Sequence, residues 1–254
     1  MLAVDRRKRI LEIIQQKESV KVPDLSQQFS VTLETIRRDL EKLEKEGHVK
    51  RSYGGATLNT STNEDISINI REVTNKEDKN RIGKAVADLI QDGDTIMMDA
   101  STTALYVAKY LQDKKVTIIT NALKVPMVLA GKNNMDIIST GGTLKSSSLS
   151  FVGHIAESVI EKYHVNKTII SCKAIDLEHG IMEPHQLETE VKKKMIHASE
   201  QVILAVDSSK FGKKSFIKAY PIDKISTLVT DMDLSHKWIE TLQNNQVTLI
   251  KVER

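Results

Sequence analysis

Seven short apolar runs follow one another after Asp94: IMMD, VTIIT, MDIIST, KTIISC, VILAV, TLVTD and VTLIKV. They are rich in Ile, Val and Thr, whose branched side chains suit a pleated strand, and stretches of helical character separate them. Strands that alternate with helices form parallel sheets, because each crossover returns the chain to the same edge and lays a helix across a face. The pattern predicts a mostly parallel α/β sheet covered on both faces. With 254 residues, 40% of them hydrophobic, the chain can build one such domain and a small companion.

The companion is legible in the first quarter. RRKRILEIIQQK places Ile10, Ile13 and Ile14 at helical spacing behind a capping Asp5, and PDLSQQF offers Pro23 for a first helical turn. In VTLETIRRDLEKLEKEGH, Thr32 is a capping hydroxyl, Ile36, Leu40 and Leu43 form a stripe, and Gly47 ends the helix. VKRSYGGATL reads as two strands around a Gly54-Gly55 turn. Two helices, a tight turn, a helix from Thr32 and a hairpin fit a winged helix-turn-helix.

In that geometry Thr32, Glu34 and Thr35 face base edges of a double-stranded DNA operator, while Arg37 and Arg38 reach phosphates or guanine. Lys50, Arg51 and Tyr53 on the wing add backbone or minor-groove contacts. Read alone, Arg37 and Arg38 are a solvated face balanced by Asp39 and Glu41. Net charge is only +3, but residues 1–58 hold 12 Lys and Arg against 9 Asp and Glu, so the whole excess sits in this segment.

Other features narrow the setting. Cys172 is the one cysteine; it excludes an internal disulfide, fits a reducing cytoplasm, and in its β-branched run is expected to be a buried structural thiol. No run approaches the roughly 18 apolar residues of a membrane span, and charge occupies the place of a signal peptide's apolar core. A cytoplasmic protein with no membrane partner is expected. The 7 histidines have no metal-ligand spacing, and neither a metal nor a cofactor is expected.

Four segments after the connector suit an anion held at the carboxyl ends of parallel strands. In IMMDASTTALYVA, Asp99 ends a strand, and Ser101, Thr102 and Thr103 bring hydroxyls and N–H groups to a helix N-terminus. Gly141 and Gly142 after MDIIST let backbone N–H groups approach an anion. In QLETEVKKKMI, Glu190 and Lys193 are i, i+3 neighbours and can point together. In VDSSKFG, Asp207 ends a strand with Lys210 beyond it. Each piece alone is an ordinary cap, turn or solvated lysine.

The string VTLETIRRDLEKLEKEGHVKRSYGGA resembles, over more than twenty positions, the signature of the DeoR/GlpR family of bacterial transcription regulators. The resemblance continues through QDGDTIMMDASTT, ITNAL, STGG, LSFVG, EVKKKMI and DSSKFG, nearly the whole chain. It implies a small N-terminal winged helix-turn-helix joined to a larger, mostly parallel α/β sensor domain that binds a phosphorylated sugar. That sensor domain resembles the folds of ribose-phosphate isomerases and coenzyme A transferases. Four positions depart from the family pattern. Thr32 stands where Ser is usual and keeps the capping hydroxyl. Ser101 replaces a glycine of D-x-G-T-T-T, and Ala104 replaces its last threonine. Lys173, in SCKAID, stands where an acidic loop of the G-A-D-G-I-D type would supply an isomerase base, so a cation that can help hold an anionic ligand takes its place.

The sequence thus divides into residues 1–58, a winged helix-turn-helix; 59–75, a polar connector; and 76–254, an α/β effector-binding domain. It predicts a non-enzymatic regulator, a repressor of a carbohydrate-utilisation operon released or modulated by a sugar phosphate, acting as a homo-oligomer, dimer or tetramer, on paired half-sites. An active isomerase and an architectural DNA-binding protein are the rival readings.

Overall fold

A computed structural model describes residues 2–17, 19–45, 49–58 and 67–253. The expected helix stop at Gly47 and residues 59–66 of the connector lie outside the described residues. The chain divides into two units, Met1–Thr74 and Asn75–Arg254.

In the first unit, α1 (Ala3–Lys17), α2 (Val22–Phe29) and α3 (Leu33–Lys45) are joined to a small antiparallel sheet of β1 (Ser19–Lys21), β2 (Val49–Ser52) and β3 (Gly55–Leu58) in the order β1-β3-β2. Asp5 lies in the first turn of α1 rather than capping it, since the helix begins at Ala3. Pro23 opens α2. Ile10, Ile14, Leu25, Ile36, Leu40 and Leu43 fill one apolar core. The stripe on α3 is the reason its other face, bearing the arginines, points to solvent. The wing turn falls at Tyr53 and Gly54, with Gly55 already in β3. A Cβ on Gly55 would lie 2.1 Å from the carbonyl oxygen of Val20, so the close approach of β1, a strand too short to read from sequence, requires glycine there. A short helix, α4 (Ile68–Val73), closes the unit and buries Ile70 in the same core.

The second unit carries the seven runs as seven parallel strands. They are β4 (Thr95–Met98), β5 (Thr117–Thr120), β6 (Asp136–Ser139), β9 (Val165–Ile170), β12 (Ser199–Ala205), β14 (Thr227–Thr230) and β15 (Thr248–Lys251). Their order is β15-β14-β12-β9-β4-β5-β6. Helices α5 (Lys76–Asp88), α6 (Thr102–Tyr110), α7 (Lys124–Leu129), α8 (His154–Ile160), α9 (Gln186–His197) and α10 (His236–Asn244) supply the crossovers and covers. Strand order runs one way from β4 to β6 and the other way from β9 to β15, so β4 and β9 flank a switch point, the place at the carboxyl ends of the strands where open α/β sheets hold ligands in a crevice. Two antiparallel additions were not legible in the sequence: a hairpin of β7 (Thr143–Lys145) and β8 (Ser150–Val152), and a sheet of β10 (Ala174–Asp176), β11 (Gly180–Glu183) and β13 (Ile217–Tyr220). No helix among the described residues is long and apolar enough to cross a membrane.

Candidate functional site

On the first unit, the Thr32 hydroxyl accepts from the Thr35 N–H at 3.2 Å and caps α3. The cap fixes where the exposed face of α3 begins, and Thr32, Glu34, Arg37 and Arg38 all lie on it, with Thr35 half-buried. As a merely solvated face, the two arginines would be balanced by Asp39 and Glu41. Instead Glu34 lies 3.8 Å from Arg37 and 3.4 Å from Arg38, in exposed pairs that hold the side chains only weakly. Asp39 turns inward: it accepts from Arg6 Nε at 2.6 Å and from Arg7 Nη1 at 3.5 Å, tying α1 to α3. Lys50, Arg51 and Tyr53 are exposed on the wing, and Arg51 is steadied by Glu44, which accepts its N–H at 2.9 Å. Arg37, Arg51 and Tyr53 border a cleft of about 310 Å³ between helix and wing. A convex helix flanked by a basic cleft suits a phosphate backbone. Arg37→Ala should lower the slope of log affinity against log salt by about 0.9 for each lost phosphate contact. A salt titration with an unchanged slope and affinity would remove Arg37 from the interface.

In the second unit, residues at the carboxyl ends of β4, β9 and β12 converge. Asp99, 1% exposed, is held on both oxygens: Oδ1 accepts from the Ser101 N–H at 3.0 Å, and Oδ2 from the Ser171 N–H at 3.1 Å. Lys192 of α9 lies 3.1 Å from Asp99 Oδ2, donates to the Ser171 carbonyl at 2.7 Å, and is bonded to Glu183. Burial pushes Glu183 above the ordinary carboxylate range, against the pull of Lys192. Burial acts the opposite way on Lys192, but Glu183 and Asp99 outweigh it and keep the ammonium charged. Glu188, one turn before Lys192 on α9, accepts from Ser150 at 3.0 Å and lies 3.3 Å from Lys145. Cys172 is buried, and desolvation first and Glu183 second push its thiol far above its usual value, as befits an inert structural cysteine.

Ser101 has an extended backbone, φ −75° and ψ 153°, so the loss of glycine causes no strain. Its hydroxyl accepts from the Ala104 N–H at 3.1 Å and caps α6, whose N-terminus therefore faces the carboxyl edge. Ser101→Ala should cost about 1 kcal/mol and Ser101→Gly a few tenths, read from urea midpoints; equal stability for all three would deny the cap any role. Thr102 and Thr103, the first residues of the helix, are buried. Gly141 and Gly142 have φ of +61° and +109°, and a Cβ on Gly142 would press on the Val152 carbonyl at 3.0 Å, leaving Gly141 as the open one.

Asp207, 0% exposed, accepts on Oδ1 from Asn75 Nδ2 at 2.9 Å and from the Ser209 N–H at 3.1 Å, while its Oδ2 is buried without a partner. Burial alone would raise its pKa, but the charges of Lys210 and Lys79 outweigh it and hold the carboxyl below its ordinary value. Asn121, just beyond β5, donates to the Phe151 carbonyl at 3.0 Å and leaves its Oδ1 buried and unpaired; the Tyr220 hydroxyl on β13 is likewise unpaired. Lys173 is half-buried in the loop after β9.

Glu190 and Lys193 are placed differently from expectation. They pair with each other at 3.1 Å, but border a depression of about 660 Å³ together with Tyr163 and His164, which precede β9 and so mark the opposite edge of the sheet. Lys192, one residue earlier, is the lysine that turns inward. Sequence reading also passed over Glu183, Glu188, Lys145, Asn121 and Tyr220. Among the described residues, Asp176, Glu178 and His179 are the one group spaced closely enough for a metal, within 4.8 Å. Asp176 already accepts there from His179 Nδ1 at 2.7 Å and from two backbone N–H groups at 3.0 Å, which makes the group a closed turn.

A winged helix-turn-helix followed by a parallel α/β unit with a polar crevice at its switch point defines a class: transcription regulators that carry their own sensor. The model of the DeoR-like helix-turn-helix domain matches residues 6–62, and that of the DeoR C terminal sensor domain matches residues 74–232. The chain belongs to the DeoR family. It is 43% identical over 99% of its length to the uncharacterized HTH-type transcriptional regulator YulB of Bacillus subtilis (strain 168), covering 98% of that protein. It is 34% identical over 90% of its length to the L-fucose operon activator of Haemophilus influenzae, covering 92% of that protein. It is 36% identical over its full length to the transcriptional repressor GlcR of Bacillus subtilis (strain 168), covering 98%. Among solved structures, ribose 5-phosphate isomerase A from Methanocaldococcus jannaschii aligns with 54% of the chain and 55% of its own at 14% identity and a TM-score of 0.40.

Proposed function

We propose that the chain represses a carbohydrate-utilisation operon and is released by a phosphorylated sugar bound at the carboxyl edge of the parallel sheet. The observation that carries this reading is the pair of buried acceptors without partners, Asp207 Oδ2 and Asn121 Oδ1. Unpaired buried acceptors are costly, and a ligand's hydroxyl donors satisfy them. They stand at the ends of β12 and β5, with β9 and β4 between, three strand spacings or about 14 Å apart. An occupant that meets both is larger than a bare phosphate. The α6 N-terminus at Thr102 and Thr103, the open Gly141, and the cations of Lys210 and Lys173 supply the phosphate end. Asp99 has both oxygens committed, so it organises the crevice instead of reading hydroxyls. A relative named for an L-fucose operon supports a sugar effector.

The DNA-reading residues are Thr32, Glu34, Thr35, Arg37, Arg38, Lys50, Arg51 and Tyr53, presented twice by a dimer on a two-fold operator. The role is non-enzymatic. A carboxylate and a lysine do meet in the crevice, but Glu183 and Lys192 are buried and bonded to each other, and Lys173 stands where the family loop would supply a base. A thermal-shift screen of pentose 5-phosphates and hexose 6-phosphates, followed by turnover assays on the hits, tests the reading. Stabilisation of about 2.7 kcal/mol at a hundredfold excess over Kd, without turnover, is expected. Turnover would overturn it. Lys210→Met should remove the stabilisation and leave DNA affinity unchanged.

A further inference from the structure

Asn75 is the first residue of the second unit and the residue directly after Thr74, the last of the first. It has a left-handed backbone, φ +51° and ψ +40°, a conformation that asparagine adopts more readily than other residues with a Cβ. Its side-chain Nδ2 donates to Asp207 Oδ1 at 2.9 Å across 132 residues of sequence. Its carbonyl accepts the Lys79 N–H at 3.0 Å and so closes the first turn of α5. On the other side, the Thr74 N–H and hydroxyl both donate to the Ile70 carbonyl at 2.9 Å, and Ile70 is buried in the core under α3. Asp207, with its buried and unpaired oxygen at the carboxyl end of β12, is therefore one hydrogen bond from the backbone that leads, within five residues, into the core of the DNA-reading unit.

We propose that Asn75 is the positioning residue through which occupancy of the crevice reaches the DNA-binding unit: its bond to Asp207 fixes the chain direction at the junction, and a ligand on Asp207 loosens it. The proposal rests on the reading of the crevice as an effector site. A hydroxyl donated to Asp207 Oδ2 draws away charge that Oδ1 offers its donors. Ser209 supplies the other donors from within the same turn, so the bond from Asn75, which comes from a distant segment, is the one lost first. Latched and unlatched junctions are then the two states that a ligand biases, as coupling requires.

The test uses the full chain, a duplex that it selects from a random pool, and an equimolar mixture of pentose 5-phosphates and hexose 6-phosphates. Asn75→Gly deletes the side-chain bond while accepting positive φ, which separates loss of the latch from backbone strain. Asn75→Ala removes both and reports on folding. The mixture should weaken DNA binding by wild type at least tenfold and that by N75G less than twofold, with the thermal shift produced by the mixture retained in both. In hydrogen exchange, the α5 first-turn amides of wild type should gain exchange when the mixture is added and match those of unliganded N75G. If N75G responds to the mixture as wild type does, or its α5 exchange equals that of unliganded wild type, the latch is overturned and the effector reading stands. If wild type itself shows no thermal shift, the effector reading fails and the latch fails with it.

Discussion

Lys192→Met is expected to lower the unfolding free energy of the second unit by roughly 3–5 kcal/mol, because it leaves buried carboxylates without their cation. Asp99 and Glu183 are both almost wholly shielded from solvent, and Lys192 is their common partner. A domain of this kind has about 5–15 kcal/mol in total, so the variant should be close to unfolding. The deficit should depend on pH. Glu183 already sits above the ordinary carboxylate range through burial, and a raised folded value contributes stability below the unfolded one and loses it as pH rises through the folded one. Removing Lys192 raises it further, so the gap to wild type should be narrowest near about pH 5 and widest near about pH 8. Lys193→Met, a change at a half-buried lysine on the outer face whose ion pair is with Glu190, should stay within about 0.5 kcal/mol. Urea titrations of the two variants at both pH values decide the matter; similar losses for both would mean that neither lysine has the role assigned to it.

Asp39→Ala should abolish DNA binding without touching the crevice. The carboxylate is 5% exposed and receives Arg6 and Arg7, so its loss leaves guanidinium groups facing an apolar interior at a cost of roughly 3–5 kcal/mol. A unit of fewer than eighty residues has little more than that to lose. Far-ultraviolet dichroism should show the helical loss of the first unit, while Trp238, the single tryptophan and a member of the second core, keeps its native fluorescence. Wild-type DNA affinity in this variant would mean that the α1–α3 tie does not position the reading helix.

What was legible in the sequence follows from the range over which each signal acts. Each of the seven apolar runs became a parallel strand: burial of the inner strands β4, β5, β9, β12 and β14 leaves an apolar signature within the strand itself, and the half-buried edge strands β6 and β15 keep a shorter one. The reading helix was legible for a similar reason: Thr32, the Ile36 stripe and the arginines lie within a few residues of one another. The crevice was only half legible. Asp99 and Asp207 follow strands and Ser101 caps a helix, so all three announce themselves, whereas Glu183 and Tyr220 come from the short antiparallel strands β11 and β13, which pair across more than thirty residues and carry no periodicity of their own. In the lysine run of α9 the local i, i+3 match of Glu190 and Lys193 is sound as a pair but lies on the outer face. The inward residue could have been found from its neighbours Val191 and Met195, which mark the buried stripe, and from Glu188 one turn earlier. Asp39 counts as a balancing charge for the arginines only if adjacency in sequence means a shared face, and the helix turns it about 100° away from Arg38, toward Arg6 and Arg7.

Two sites in one chain that bias the same equilibrium must act on each other reciprocally. Titrating the phosphosugar that stabilises the chain into free protein, and into protein saturated with its selected duplex, measures that reciprocity by calorimetry. A dissociation constant higher by about 5- to 150-fold for the DNA-bound chain is expected, matching the factor by which the same compound weakens DNA binding. Equal constants for the free and the DNA-bound chain would contradict the account.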